Sequence, residues 1–304
     1  MRPIRTSWQF AACFMFTIVA SVASAQGKPP GTVTTSASGT GLYQFDATTD
    51  SHGKANSGSA TISGSITRQV VTALTLGASA SYSAERWTIA DPAAFSQGTP
   101  WRDLRRVSIG VPMTLALSRS LLVGCTASAE WAGEQGVIQA DAAIYGTVLS
   151  VAKVFNPRLT MGGGASLSHQ FYSNKVSPFL IINWRLSERL RIANAFSAGP
   201  EGGAGIELRC TLTPEWELAA GGVLRSDRYR LADSGAYPRA IGEKGGIPVF
   251  ARASRKLGER LRADVYAGVF AQGRIRIKDD DGNELATTRY PAQPALAVTL
   301  AFRR

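Results

Sequence analysis

The run Leu261-Arg262-Ala263-Asp264-Val265-Tyr266-Ala267-Gly268-Val269-Phe270-Ala271-Gln272 alternates without a slip. Leu261, Ala263, Val265, Ala267, Val269 and Ala271 fall on one face, and Arg262, Asp264, Tyr266, Gly268, Phe270 and Gln272 on the other. A period of two belongs to a β-strand. Similar segments recur from about residue 40 onward, separated by Gly, Pro, Ser, Asn or charged breaks. Strands of roughly ten residues, apolar on one side and small or polar on the other, mark a transmembrane β-barrel. The expected class is all-β, a single closed antiparallel barrel.

Working outward from this run, strands are expected near 40–47, 58–67, 72–85, 104–117, 121–132, 138–153, 158–169, 176–186, 190–198, 203–212, 216–230, 247–257, 260–273 and 293–302. That is fourteen, an even count, as closure with both ends on one side requires. The first carries the weakest pattern, and twelve is the alternative. Short turns fall at 118–120, 155–157, 187–189, 213–215 and 258–259, and longer connections generally alternate with them, at 86–103, 133–137, 231–246 and 274–292. Short turns lie on the periplasmic side of such barrels and long loops outside.

The faces follow the same phase. Leu74, Leu76, Ala78, Ala80, Tyr82 and Ala84 oppose Thr75, Gly77, Ser79, Ser81, Ser83 and Glu85. Val107, Ile109, Val111, Met113 and Leu115 oppose Arg106, Ser108, Gly110, Pro112 and Thr114. A soluble sandwich also alternates, but turns its apolar face inward. Aromatic residues gathered at strand ends favour the membrane. Trp87, Trp131, Tyr172 and Tyr229 are expected at the outer girdle, and Phe155, Trp184, Trp216 and Phe302 at the inner one.

Residues 1–25 read as a secretory signal peptide: Arg2 and Arg5, an apolar run over 10–20, then Ala23-Ser24-Ala25. Residues 26–39, rich in Gly, Ser, Thr and Pro, are expected to form a flexible periplasmic arm, leaving 40–304 as the barrel. No later segment holds 18 consecutive apolar residues, which excludes a helical membrane protein. Cys125 and Cys210 each share the apolar phase of their strands and are read as small apolar residues rather than a disulfide pair. The expected location is the outer membrane of a Gram-negative bacterium.

The layout resembles the uncharacterised proteobacterial outer-membrane barrel families known only as domains of unknown function. The likeness rests on Leu104-Arg105-Arg106-Val107-Ser108-Ile109-Gly110-Val111-Pro112, on Val176-Ser177-Pro178-Phe179 leading into Asn183-Trp184-Arg185-Leu186, and on Tyr229-Arg230-Leu231. It implies the barrel and its membrane, and no activity. Such chains commonly end on an aromatic residue that the assembly machinery reads, whereas Phe302 is followed here by Arg303 and Arg304.

The formal charge is +11, and the two arginines of 1–25, with no acids there, leave +9. Glu130, Asp141, Lys153, Arg185, Glu207, Arg209, Arg252, Arg262 and Asp264 share phase with small polar residues and are read as lumen-facing. A charge on the lipid face at mid-membrane costs about 2–4 kcal/mol for Arg or Lys. A basic excess lining a wet channel focuses anions, so the leading expectation is a pore or passive conduit for small solutes with an anion preference. In it Arg209, Arg252 and Arg262 would tune selectivity, and Arg225 and Arg228, near the outer rim, would matter less.

The rival is a structural or surface-interaction barrel whose lumen is filled by side chains. Fatty-acid carriers of fourteen strands are a third class, but 26–39 is short for their plug. A barrel-wall lipid hydrolase needs Ser and His on one face. His52 precedes Gly53-Lys54, and His169 has opposite phase to Ser166 and Ser168, so no catalytic residue is assigned. No cofactor or metal site is expected. Asp279-Asp280-Asp281-Gly282-Asn283-Glu284 lacks the full EF-hand spacing and reads as a hairpin turn. The expected partners are outer-membrane lipids and lipopolysaccharide, with barrel-assembly machinery and periplasmic chaperones during biogenesis. Nucleic acid is not expected, since no reading element is visible.

Overall fold

The computed structural model describes residues 29–137, 140–171, 173–194 and 205–304. Residues 1–25, expected to be a signal peptide, and Tyr172 lie outside the described residues. Fifteen strand segments follow in order: β1 (Val33–Thr48), β2 (Lys54–Val71), β3 (Leu74–Ala90), β4 (Asp103–Ala116), β5 (Leu121–Glu134), β6 (Ala143–Asn156), β7 (Leu159–Gln170), β8 (Ser173–Arg185), β9 (Leu190–Asn194), β10 (Gly205–Thr211), β11 (Trp216–Val223), β12 (Arg225–Arg230), β13 (Ile241–Lys256), β14 (Leu261–Lys278) and β15 (Glu284–Arg303). No helix occurs among the described residues.

Both β11 and β12 pair with β13 in one continuous register, Gly222↔Val249 and then Arg225↔Gly246. They are two halves of one stave, broken at Leu224. Ile247 and Pro248 stand opposite the break, and Pro248 has no N–H to give a ladder. The ring closes where β1 meets β15, with Gly39 opposite Leu300. The result is a closed antiparallel barrel of fourteen staves.

The starting run takes the faces its phase dictates. Val265 is 54% and Val269 38% exposed on the outside, while Asp264 is 0% exposed inside. The same outward belt carries Ile62, Ile109, Val111, Leu208, Val298 and Leu300, all exposed. A continuous apolar outer surface on a β-barrel is stable only against lipid.

Two expectations are corrected. The chain from Val33 to Gly39 is strand, not a flexible arm. It pairs on both sides, Ser36 with Ser65 and with Arg303. Small residues occupy both of its faces, so alternation gives no hydropathy signal while the backbone still pairs. The last three strands are also longer than expected, and much of 231–246 and 274–292 is ladder rather than loop. The reason is a reversal of phase. Below Gln272 the even residues of β14 point inward. Above it Gly273, Ile275 and Ile277 are the buried ones. Gln272 has φ of +51°, and the β13–β14 register shifts between Gly245 and Ile247. Pro291 of β15 sits at the same level.

Above this level the barrel narrows. Gln170 of β7 stands along the ladder with Ile144, Glu130, Ser108 and Ser81, whereas β3 runs on to Ala90. There Arg230 of β12 bridges Gly133 of β5 in parallel, closing a smaller ring of β12–β15 and β1–β5. Its interior is apolar: Trp87, Leu104, Ile275, Ile277 and Leu231 are buried together. Phe95 and Trp101 enter from the 91–102 connection and Tyr237 from 231–240. Trp87 meets Trp101 edge-on at 6.4 Å, and Phe95 meets Tyr237 at 6.3 Å. The outer loops therefore fold inward as a cap.

Candidate permeation pathway

The inner half of the lumen has walls of different chemistry. On β15 and β1–β4 the inward residues are hydroxyls that bond across strands. Thr40 pairs with Thr299 at 2.8 Å, Ser36 with Ser65 and Ser38 with Ser63 at 2.7 Å, and Ser81 with Ser108 at 2.7 Å. Thr61 donates to Ser83 at 2.9 Å. Ser63, Ser65, Ser81 and Ser83 stay half-buried, and side chains this small do not fill a fourteen-stave ring.

Facing them, β10–β14 carry an ionic lattice. Arg252, its side chain 0% exposed, places Nη2 2.8 Å from Glu207 Oε1 and 3.0 Å from Glu217 Oε1, and Nη1 3.0 Å from Asp264 Oδ1. Arg262 Nη2 lies 2.7 Å from Asp264, and Arg209 pairs with Glu207. Three guanidiniums meet three carboxylates, so the lattice is neutral as a whole. Burial on this scale is tolerable only because every charge has a close opposite.

A second ionic layer crosses the lumen beneath the cap. Lys244 of β13 pairs with Glu85 of β3 on the far side of the ring. Arg106 of β4 reaches Glu130 at 2.9 Å and Asp227 of β12 at 3.3 Å, and Arg225 Nε is 2.8 Å from Asp227. Tyr229 and Trp87 roof this septum: Arg106 Cζ is 4.7 Å from the Tyr229 ring centre, and Trp87 Nε1 donates to Glu85 at 2.8 Å.

The placement of the sequence-derived charges divides accordingly. Glu207, Arg209, Arg252, Arg262 and Asp264 come together in the inner lattice, and Glu130 joins the septum. Arg185 keeps lumenal phase but lies exposed at the inner mouth, paired across strands with Arg191, which itself pairs with Arg209. Lys153 is corrected: it points outward, exposed, in register with Leu121 and Met161. Residues 148–152 are nearly apolar on both faces, so the phase there was ambiguous, and at the inner end a lysine can extend to the headgroups. Its Nζ lies 5.3 Å from the Phe155 ring. Asp141 is also corrected. It precedes β6 in an outer loop and lies 3.6 Å from Arg239. Arg225 and Arg228 are not rim residues either, for Arg228 is buried against Glu243 at 2.6 Å.

Among the aromatics, Phe155, Trp184, Trp216 and Phe302 lie exposed on the outer surface at the inner strand ends. Trp131 is outward and half-buried. Trp87 and Tyr229 are not girdle residues. Both are buried inside the cap, because β3 and β12 continue past the membrane in lumenal phase. Trp87 shares the odd phase of Ser83 and Glu85, which places it inside although it stands at a strand end. Glu85 and Arg106 were likewise legible on polar faces. Lys244 and Asp227, by contrast, lie in a stretch with no clean alternation.

Cys125 and Cys210 are both free. His169 is exposed, with Nδ1 2.9 Å from Asn174 Oδ1, and no serine is its partner among the described residues. Asp279 accepts N–H bonds from Asp281 at 3.0 Å and Asn283 at 2.8 Å, forming the β14–β15 turn.

No family model and no curated protein matches the chain. Among solved structures it is similar to an outer membrane channel from Pseudomonas putida F1, with 11% identity and a TM-score of 0.47 over 92% of this chain and 98% of that one. It is also similar to the P. putida toluene transporter TodX, with 9% identity and a TM-score of 0.43 over 90% of each chain. The KdgM porin in complex with disordered oligogalacturonate follows at 8% identity and a TM-score of 0.36, over 87% of this chain and 98% of that one.

Proposed function

We propose that this chain is an outer-membrane conduit for small solutes, closed on its outer side in the present conformation and favouring anions at its inner mouth. The supporting observation is the fourteen-stave ring whose β2–β3 wall carries the half-buried hydroxyls of Ser63, Ser65, Ser81 and Ser83 rather than packed bulk. The anion preference rests on Arg185 and Arg191. They stand side by side in lumenal register, with no ion pair or hydrogen bond to either side chain among the described residues. The neutral inner lattice adds no such bias.

Opening requires the cap to move. Arg230 fastens it: Nη1 donates to Arg239 O at 2.7 Å and Nε to Asp141 O at 3.3 Å, the guanidinium pairs with Asp280, and Cζ lies 5.0 Å from the Phe171 ring. Four outer connections meet on this side chain. Planar-bilayer recording of the purified protein tests the proposal, with Arg230→Ala expected to raise open probability severalfold over wild type. The septum favours the rival reading of a filled, structural barrel. Silence of both proteins across a range of voltages would establish that rival.

A further inference from the structure

Where the outward apolar belt of β14 ends, a cleft of about 570 Å³ opens on the barrel wall. Arg274, Arg276 and Arg289 line it beside Lys244, with Glu243 and Asp50 as its acids. Arg274 and Arg289 are directly opposed across the β14–β15 ladder. Like charges in that relation repel: Arg276 and Arg289 both repel Arg274, against a weaker pull from Glu284 and Glu243. The two side chains share the outward face, because their neighbours Gly273, Ile275, Thr288 and Tyr290 are the buried ones.

The local acids are already engaged. Asp50 Oδ1 accepts the backbone N–H of Arg289 at 3.1 Å and the Thr288 hydroxyl at 2.9 Å. Glu243 is shared by Arg228, by Arg276 at 3.6 Å and by Lys278 at 3.3 Å. Arg276 Nε is held by Glu284 at 2.9 Å, and Lys244 by Glu85. Arg274 and Arg289 are left without an ion pair or side-chain hydrogen bond among the described residues. Two adjacent guanidinium forks with no carboxylate between them match the oxygens of a phosphoryl group, which accepts bidentate bonds from each.

We propose that Arg274 and Arg289 form a phosphate-binding site on the outer surface of the barrel, at the level where headgroups begin. The phosphoryl group can belong to a lipid headgroup or to a free phosphate, and the site stands whether or not the lumen conducts.

Two arms separate the sources. In detergent, inorganic phosphate is titrated into the full-length protein by calorimetry. In nanodiscs, binding to bilayers of phosphatidylcholine doped with bis-phosphorylated lipid A is compared with phosphatidylcholine alone, by mass spectrometry of retained lipid. The double variant Arg274→Gln/Arg289→Gln is expected to lose at least tenfold in affinity in one arm or both, while Arg158→Gln, in an inner turn, keeps wild-type binding. Loss confined to the lipid A arm assigns the site to a headgroup, and loss in the phosphate arm to a free anion. If the double variant fails to fold, the exposed single variant Arg289→Gln carries the test. Wild-type affinity of the folded arginine variants in both arms overturns the site.

Discussion

Gly273 shows how closely the cap is fitted. A Cβ built there would lie 1.8 Å from the Tyr290 ring, far inside contact distance. Tyr290 is buried beneath the cap and cannot swing aside cheaply. Gly273→Ala should therefore destabilise the outer ring by about 1–3 kcal/mol, the usual range for overpacking. Tyr290→Ala combined with it should recover most of that loss, since the three atoms nearest the added Cβ all belong to Tyr290. Chemical denaturation followed by Trp fluorescence reads both, with Trp87 and Trp101 as reporters. Additive losses in the double variant would mean that Gly273 is needed for its backbone rather than for space.

At the scale of elements, the 91–102 connection is tied to the barrel by a knot of hydroxyls and carboxylates. Thr288 Oγ1 bonds Asp91 Oδ2 at 2.8 Å and Asp50 Oδ1 at 2.9 Å, and Ser51 also donates to Asp91. Burial pushes Asp91 up, but hydrogen bonds from Ser51, Thr49 and Thr288 outweigh it and hold the carboxyl below its usual range. The Arg289 N–H, then Thr288, lowers Asp50 likewise. A depressed carboxylate stabilises the fold above its unfolded pKa, about 3.9, and that contribution fades as pH falls through the folded value. Amide exchange across 91–102 should accordingly stay slow from neutrality down to about pH 4 and quicken below it. Asp91→Asn should show the quickened rate at neutral pH. Protection that persists unchanged into strong acid would refute the tie.

The same elements show what sequence can and cannot disclose. The run 261–272 displayed its faces because large and small residues alternate on a regular backbone. The extension above it was hidden for a local reason. Gln272 takes a left-handed conformation opposite Pro291 of β15, so the buried set of β14 moves from even to odd positions and a period-two template loses phase. β1 was hidden differently, since Ser36, Ser38 and Thr40 differ too little from Ala37, Gly39 and Gly41. For the pathway, phase alone placed Glu207, Arg209, Arg252, Arg262 and Asp264 inside, but it is silent on which charges neutralise which. The septum depends on β12 crossing to β5, a contact that no local pattern encodes.

For the whole molecule, charge placement governs what the conduit would prefer. Arg185→Gln/Arg191→Gln removes unbalanced positive charge from the inner mouth, so the reversal potential should move toward cations. Arg209→Gln/Arg262→Gln should move it the same way by another route. That change leaves Arg252 alone with Glu207, Glu217 and Asp264, turning a neutral lattice into one of net charge −2. Charge in a narrow low-dielectric passage acts strongly on the local potential. Identical reversal potentials for wild type and both pairs would show that these arginines serve packing alone.

The parallel bridge between Arg230 and Gly133 also bears on biogenesis. Antiparallel neighbours can zip hairpin by hairpin, each closing a short loop. The β5–β12 contact joins segments far apart in sequence, and such contacts come late because the entropy of the long loop is lost before any contact is gained. The β1–β15 seam joins residues farther apart still, Gly39 and Leu300, so by the same reckoning it closes last, and both the wide and the narrow ring contain it. Wall and cap are then completed by one event at a single seam rather than by two in succession.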